Sequence, residues 1–189
     1  IQSGITWENI LTYSKILGEH DFQIMGGTST IYKSKEYTLA SGKGQTYGGN
    51  IYHNLASNTK EVMIDSYLQE ENLASFFGRV NYDYQSKYLL SLVLRKDGYS
   101  KLAKENRWGV FPGVSTGWVF SKEKFMANTS DILSFGKLRA SFGLNGNVNK
   151  NFVGNYTVQG SYGSNTYNGA TGFLLGSIPN PYLMWEKSR

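Results

Sequence analysis

The sequence lacks cysteine, contains only three prolines, and has few charged residues, which make up 17% of its 189 positions. Without cysteine the chain can form neither a disulfide framework nor a cysteine-ligated zinc site. Long apolar runs are also missing: the best, residues 88–94, ends at Arg95, far short of the ~18 residues that predict a transmembrane helix. Fourteen tyrosines, ten phenylalanines, four tryptophans and 22 glycines are present instead. This composition excludes a disordered chain and is typical of β-rich proteins.

A concentrated basic surface is missing as well, although the net charge is +5. Lysines and arginines are scattered from Lys15 to Arg189, and the densest group, residues 101–107, includes Glu105. We interpret that group as a solvated loop, and we expect no nucleic-acid partner.

Hydrophobic side chains recur with a period of two, which predicts strands. In residues 88–98, for example, Tyr88, Leu90, Leu92 and Leu94 share one face, while Ser91, Arg95 and Asp97 share the other. The clear strands are predicted at residues 73–84, 88–98, 107–121 and 135–147, two weaker ones at 4–14 and 21–35, and a seventh from Tyr182. Pro112 lies inside the third clear strand, where it removes a backbone donor, so we expect a bulge or a bend there.

The predicted connections differ in length. Residues 15–20 and 85–87 form short turns, whereas residues 36–72 and 148–181 form long polar connections. Short turns at one end of a sheet and long loops at the other are typical of transmembrane β-barrels. In the four clear strands the charges keep to the polar face, and Lys96, near a strand end, is the exception. A soluble, secreted β-sandwich that binds carbohydrate through its tyrosine-rich loops also segregates its faces and remains the alternative.

Six sequence segments resemble one protein family in order and spacing. They are Ser-Phe-Phe-Gly-Arg-Val-Asn-Tyr-Asp-Tyr (75–84), Lys-Tyr-Leu-Leu-Ser-Leu-Val-Leu-Arg-Lys-Asp-Gly (87–98), Asn-Arg-Trp-Gly-Val-Phe-Pro-Gly-Val-Ser-Thr-Gly-Trp (106–118), Ser-Lys-Glu-Lys-Phe-Met (121–126), Leu-Arg-Ala-Ser-Phe-Gly-Leu-Asn-Gly-Asn (138–147) and Asn-Pro-Tyr-Leu-Met-Trp-Glu (180–186). They are similar to segments of the SusC/RagA-type TonB-dependent outer-membrane receptors, which import nutrients into Gram-negative bacteria. Gly113 and Tyr182 depart from the family pattern, without affecting the fold expectation.

The resemblance implies an all-β, antiparallel transmembrane barrel of about 22 strands around an N-terminal plug. Seven strands leave two unpaired edges, which lipid does not tolerate. We therefore expect residues 1–189 to be a partial barrel domain, without the plug and the remaining strands, located in the outer membrane. The implied partners are outer-membrane lipid, a SusD-like surface lipoprotein, TonB acting through the plug, and an oligosaccharide or peptide substrate.

Two groups of residues are candidates for function. The charges on the polar face, Arg79, Arg95, Asp97 and Arg139, are expected to face the lumen and the plug. The tyrosines of the long connections are candidate ligand or lipoprotein contacts: Tyr47, Tyr52, Tyr67, Tyr156, Tyr162 and Tyr167. His20 and His53 have no partner at metal-binding spacing, and no catalytic or nucleotide-binding motif is present. We expect neither a cofactor, nor a metal site, nor catalysis.

Overall fold

The computed structural model describes residues 1–45, 58–129, 133–149 and 152–189. Ten strands are found in this part of the chain: β1 Gln2–Leu17, β2 His20–Gln45, β3 Asn58–Tyr84, β4 Tyr88–Tyr99, β5 Trp108–Trp118, β6 Leu138–Gly143, β7 Asn145–Asn147, β8 Ser161–Tyr167, β9 Ala170–Ser177 and β10 Glu186–Ser188. Three short 3-10 helices cover Lys104–Asn106, Phe120–Lys122 and Lys124–Thr129. The all-β class predicted from the alternating pattern is confirmed.

Strands β1 to β6 form one antiparallel sheet in chain order. β3 and β4 pair without interruption, from Leu73 opposite Tyr99 to Tyr84 opposite Tyr88. β4 and β5 likewise pair from Tyr88 opposite Trp118 to Gly98 opposite Trp108. Strand β7 pairs with β10, so the seventh strand predicted from Tyr182 forms only at Glu186–Ser188. Strands β8 and β9 make a separate hairpin.

The chain divides into two compact units. The larger comprises Thr6–Ile31 and Asn72–Arg189, and it contains β4 to β10. The smaller comprises Ile1–Ile5 and Tyr32–Glu71. Within the smaller unit the ends of β2 and β3 are joined by the stacked rings of Tyr37 and Tyr67 and by an ion pair between Lys43 and Glu61 at 2.5 Å.

Tight turns join the strands at one end of the larger unit, which we call the short-turn end. Gly18 follows β1 with φ of 61°, a conformation that glycine adopts without strain. Between β3 and β4, Gln85 and Ser86 also have positive φ, and the Asp83 carboxylate accepts a hydrogen bond from the Ser86 amide at 2.6 Å. Such turns match the right-handed twist of paired strands and set their register.

The long connections contain strand structure that the apolar pattern does not predict. β2 continues to Gln45, β3 begins at Asn58, and β8 and β9 occupy much of residues 148–181. Both faces of the β8–β9 hairpin are exposed, so the sequence there needs no apolar alternation. The pairing of these segments depends on backbone hydrogen bonds, which the side-chain period does not report.

Pro112 lies in β5, in register with Leu94 of β4. Its carbonyl accepts a hydrogen bond from the Leu144 amide at 2.9 Å, and Leu144 is the break between β6 and β7. In an antiparallel sheet the backbone N and O of one residue point to the same neighbouring strand. The N–H that Pro112 lacks would therefore point to Leu144, which accounts for the break between β6 and β7. β5 pairs with β4 in an unbroken register through Pro112, and Leu144 continues the β5–β6 register, so the bulge or bend predicted at Pro112 is not found.

The hydrophobic side chains lie largely on the surface. Among the described residues only Tyr99, Leu102, Ala103, Phe111, Val119 and Val153 are buried apolar residues. In the part of the chain that the structure describes, no helix has the length and apolar character needed to cross a bilayer.

Candidate functional site: a two-faced wall

One face of the β3–β6 sheet is a continuous apolar surface, which we call the outer face. One register row across the four strands consists of Val80, Leu92, Val114 and Phe142. Other rows of the same face, two residues further along each strand, are also mostly apolar. Most large side chains of this face are 36–61% exposed, whereas Tyr82 and Tyr84 are half-buried. A β-sandwich would cover such a face with a second sheet. An uncovered face of this size is what a lipid-facing barrel wall presents.

Aromatic side chains border the outer face at the short-turn end. Tyr84 stacks on Tyr88 at 6.2 Å between ring centroids, and Trp118 contacts Phe120 at 6.0 Å. His20 donates to or accepts from the Tyr82 hydroxyl at 2.8 Å through Nδ1, and its ring lies 4.8 Å from Tyr84. Lys96, a charged residue of the outer face, lies at the other end, with its amine 5.3 Å from the Trp108 ring. This arrangement matches the aromatic girdles that outer-membrane barrels place at both interfaces.

The opposite face, which we call the inner face, is polar. Asn81, Ser91, Ser115 and Ser141 lie in one register row across four strands. The Asn81 amide donates to Gln23 at 3.0 Å and its oxygen accepts from the Ser91 hydroxyl at 2.7 Å. The inner face is therefore polar and internally hydrogen-bonded where these side chains lie.

The structure brings two of the predicted charges into direct contact. Arg95 Nε donates to both carboxylate oxygens of Asp97 at 2.8 Å, and Nη2 donates to the Ser75 hydroxyl at 3.1 Å. Asp97 and Ser75 are buried, whereas half of the Arg95 side chain is exposed. The guanidinium also lies 5.9 Å from the centroid of the Phe77 ring. Arg95 and Asp97 therefore pair with each other on the inner face.

The other two predicted charges lie apart from this pair. Arg79 is opposite Val93 on the inner face, and Arg139 is opposite Gly117. Arg139, Lys137, Lys15 and Asp21 line a concavity of about 690 Å³ near the short-turn end. Within the described residues, no carboxylate forms an ion pair with either arginine. Asp21 and Asp83 line the same concavity as Arg139, without forming an ion pair with it among the described residues.

The four predicted tyrosines that the structure describes have different surroundings. Tyr67 is engaged with Tyr37, as described above. Tyr156, Tyr162 and Tyr167 are 62–88% exposed. Tyr162 and Tyr167 are five positions apart on β8, so their side chains project from opposite faces of the hairpin. Tyr47 and Tyr52 lie outside the described residues, as does His53. No group of three metal-ligating side chains is found among the residues that the structure describes.

Glu123 is a residue that the sequence pattern did not single out. It lies between two 3-10 helices, yet its carboxylate accepts hydrogen bonds from the Tyr88 hydroxyl at 2.7 Å and from Trp118 Nε1 at 3.2 Å. The Lys87 amine is 3.6 Å away. These donors hold the pKa of Glu123 below its ordinary value of 4.5, the Tyr88 hydrogen bond being the main cause. Glu123 thus links the β5–β6 connection to the start of β4 and to the end of β5.

Replacing Glu123 with glutamine is expected to lower the thermal stability of the complete receptor at neutral pH. Because the folded-state pKa is lowered, the stabilisation is present above the ordinary carboxyl pKa and is lost as the pH falls through the lowered value. The difference in melting temperature between wild type and Glu123→Gln should therefore shrink towards zero in acid. Melting curves of the purified receptor across this pH range measure it. Glu105→Gln, which removes the same charge from an exposed position, serves as the control; a difference that does not change with pH contradicts the assignment.

A buried aromatic junction lies on the inner side at the end remote from the short turns. The Phe111 ring contacts the Trp185 ring edge-on at 5.4 Å, and Trp185 Nε1 donates to the Arg107 carbonyl at 2.9 Å. Gly109 and Gly146 leave room for the Phe111 ring, because a Cβ at either position would overlap it. The residues come from β5, β7 and the segment before β10, so this junction holds the segment of Trp185 against the sheet.

Comparisons with known proteins agree with this geometry. TonB-dependent receptor P3 of Formosa agariphila is 34% identical over 189 residues, which is 96% of this chain and 18% of the receptor. TonB-dependent receptor SusC of Bacteroides thetaiotaomicron is 30% identical, with 98% of this chain and 18% of SusC aligned. No family model matches the chain. The chain spans about a fifth of the length of these relatives.

Solved structures give the same result. A chain of the RagAB peptide transporter superposes with a TM-score of 0.86 and 26% identity, covering 98% of this chain and 20% of the transporter chain. The RagAB peptide importer in its open-open state matches with a TM-score of 0.83. The outer and inner faces, the girdle and these similarities lead to one conclusion. The chain belongs to the SusC/RagA-type TonB-dependent receptors of the Gram-negative outer membrane, and it corresponds to part of their β-barrel.

Proposed function

We propose that this chain forms part of the wall and the lumen lining of an outer-membrane importer that takes up oligosaccharides or peptides. The observation that carries the proposal is the two-faced sheet: a continuous apolar outer face backs a polar, charged inner face. A wall of this kind separates lipid from an aqueous passage. The names of its relatives as TonB-dependent receptors, and of RagAB as a peptide importer, support import as the activity.

In the proposed mechanism, substrate binds at the cell surface beneath a SusD-like lipoprotein. TonB then pulls on the plug from the periplasm, and the substrate passes through the lumen. The described residues contribute no chemical step. The exposed rings of Tyr156, Tyr162 and Tyr167 are proposed as contacts for substrate or lipoprotein, because aromatic faces stack on sugars and on peptide side chains.

The inner-face charges are proposed to contact the plug in two different ways. Arg95 is held in place by Asp97 and Ser75, so it offers a rigid donor group to the plug. Arg79 and Arg139 lack an ion-pair partner among the described residues, so carboxylates of the plug are their expected partners. Long cationic side chains with no local partner keep the freedom to follow a plug that moves.

Uptake by the bacterium that encodes this chain tests the proposal. Deleting the gene for the complete receptor should abolish TonB-dependent uptake of one labelled substrate class, oligosaccharides or peptides, and the wild-type gene should restore it. Disrupting the TonB gene alone should produce the same loss. Undiminished uptake of both classes in the deletion strain, or uptake that does not need TonB, would contradict the proposed function.

A further inference from the structure

Residues 119–129, which begin the connection between β5 and β6, are folded, although they lie at the short-turn end. They contain the 3-10 helices Phe120–Lys122 and Lys124–Thr129. The Val119 amide donates to the Lys87 carbonyl at 2.7 Å, which places the start of the connection beside the β3–β4 turn. Through Glu123 it contacts Tyr88 and Trp118, two aromatic residues of the outer face. The connection therefore bends towards the lipid-facing side and away from the lumen.

Its two phenylalanines have different environments. Phe120 packs against Gly136 so closely that a Cβ there would overlap the ring. Phe125 is 67% exposed, although its ring lies only 6.4 Å from Trp118 of the aromatic girdle. A phenylalanine that is exposed beside a girdle tryptophan extends the apolar outer face beyond the ends of the strands.

Two lysines flank this segment. Lys122 and Lys124 are both exposed, and among the described residues neither amine forms an ion pair. The carboxylate between them, Glu123, is already occupied by Tyr88, Trp118 and Lys87. The charge next to Phe125 is therefore positive and uncompensated, directly at the border of the lipid-facing surface.

We propose that Lys122, Lys124 and Phe125 form a binding site for anionic phospholipid of the periplasmic leaflet. Short turns of outer-membrane barrels face the periplasm, which places this segment at the inner leaflet. Phe125 inserts among the acyl chains near the headgroups, and the two amines bind the headgroup phosphate. An apolar ring beside lysines at the membrane border is the pattern of segments that lie in the interface.

A phospholipid fits better than a protein partner for two reasons. The segment is continuous with a surface that already contacts lipid, so the headgroup layer lies at the height where the girdle ends. The positive charge of the segment is also complementary to phosphate. The nearby carboxylate of Glu123 does not offset this charge, because it is engaged by Tyr88 and Trp118.

Native mass spectrometry of the complete receptor, purified with added phosphatidylglycerol, tests the site. The variant Lys122→Gln/Lys124→Gln should bind this lipid about 10- to 30-fold more weakly than wild type, since each lysine near an anionic surface contributes roughly a fivefold factor. Lys104→Gln/Lys187→Gln removes the same charge from exposed positions elsewhere and should leave binding unchanged. Unchanged binding in the first variant, or an equal loss in the second, would overturn the proposal.

A depth measurement gives a second, independent test. A nitroxide at Phe125→Cys in the receptor reconstituted in liposomes should collide more often with lipid-soluble oxygen than with a water-soluble nickel reagent. The same label at Tyr162→Cys, on the exposed hairpin, should show the reverse. Preferential access of the nickel reagent to position 125 would rule out insertion. Neither readout depends on uptake, so failure of the import proposal leaves both results interpretable.

Discussion

The Leu92→Arg variant is expected to fail to assemble in the outer membrane. Leu92 lies near the middle of β4 on the outer face, between Val80 and Val114, and it is 45% exposed. An arginine on the lipid-facing side at the bilayer midplane costs about 2–4 kcal/mol. Neighbouring side chains offer no carboxylate to offset this cost, because the whole register row is apolar.

The matched control is Ser141→Arg. Ser141 lies in the register row next to that of Leu92, but on the inner face, and it is exposed. The charge there enters water or the lumen, so the variant should assemble like wild type. Membrane fractionation and the heat-dependent gel mobility of the complete receptor report assembly. Normal assembly of Leu92→Arg, or equal failure of both variants, would show that the outer face does not meet lipid.

The second large effect is expected at the buried aromatic junction. Phe111 is 6% exposed and fills the space beside Gly109, Gly146 and Trp185. Truncating a buried phenylalanine to alanine typically costs about 3–5 kcal/mol, because a cavity replaces the ring. We expect Phe111→Ala to release the segment of Trp185 from the sheet, which faster proteolytic cleavage near residues 180–186 would reveal.

A double-mutant cycle makes this prediction specific. Gly146→Ala should also destabilise the junction, because its Cβ overlaps the Phe111 ring. In the double variant the cavity left by Phe111→Ala accommodates the new methyl group. The double variant should therefore be destabilised by less than the sum of the two single variants. Phe142→Ala, which removes a ring from the exposed outer face, should leave the cleavage rate unchanged. Strict additivity of Phe111→Ala and Gly146→Ala would contradict the contact.

The alternating pattern was sufficient to predict the wall, because lipid on one side and water on the other impose a period of two on every spanning strand. Leu90, Leu92 and Leu94 fall on the outer face as predicted, and Arg95 and Asp97 share the inner face. The bulge or bend expected at Pro112 is not found, because β5 keeps its register with both neighbouring strands there. The pattern could not extend β2 to Gln45 or begin β3 at Asn58, since strands exposed on both faces carry no such period.

Contacts between distant parts of the chain depended on the fold. Even the local pairing of Arg95 with Asp97, two residues apart, required the rotamers of both side chains as well as their shared face. Glu123 meets Tyr88 across a sequence separation of 35, and Trp185 meets the Arg107 carbonyl across 78. The local sequence pattern cannot predict which groups meet across such sequence separations.

The amino-acid sequence by itself determined that this protein is an all-β wall with one apolar and one polar face, because alternation is a local property of each strand. Only the tertiary structure decided which groups close the wall at its two ends. Glu123 organises the short-turn end, and Phe111 with Trp185 organises the other. These contacts arise where the chain returns to a strand that it left many residues earlier, so they exist only once the strands have paired.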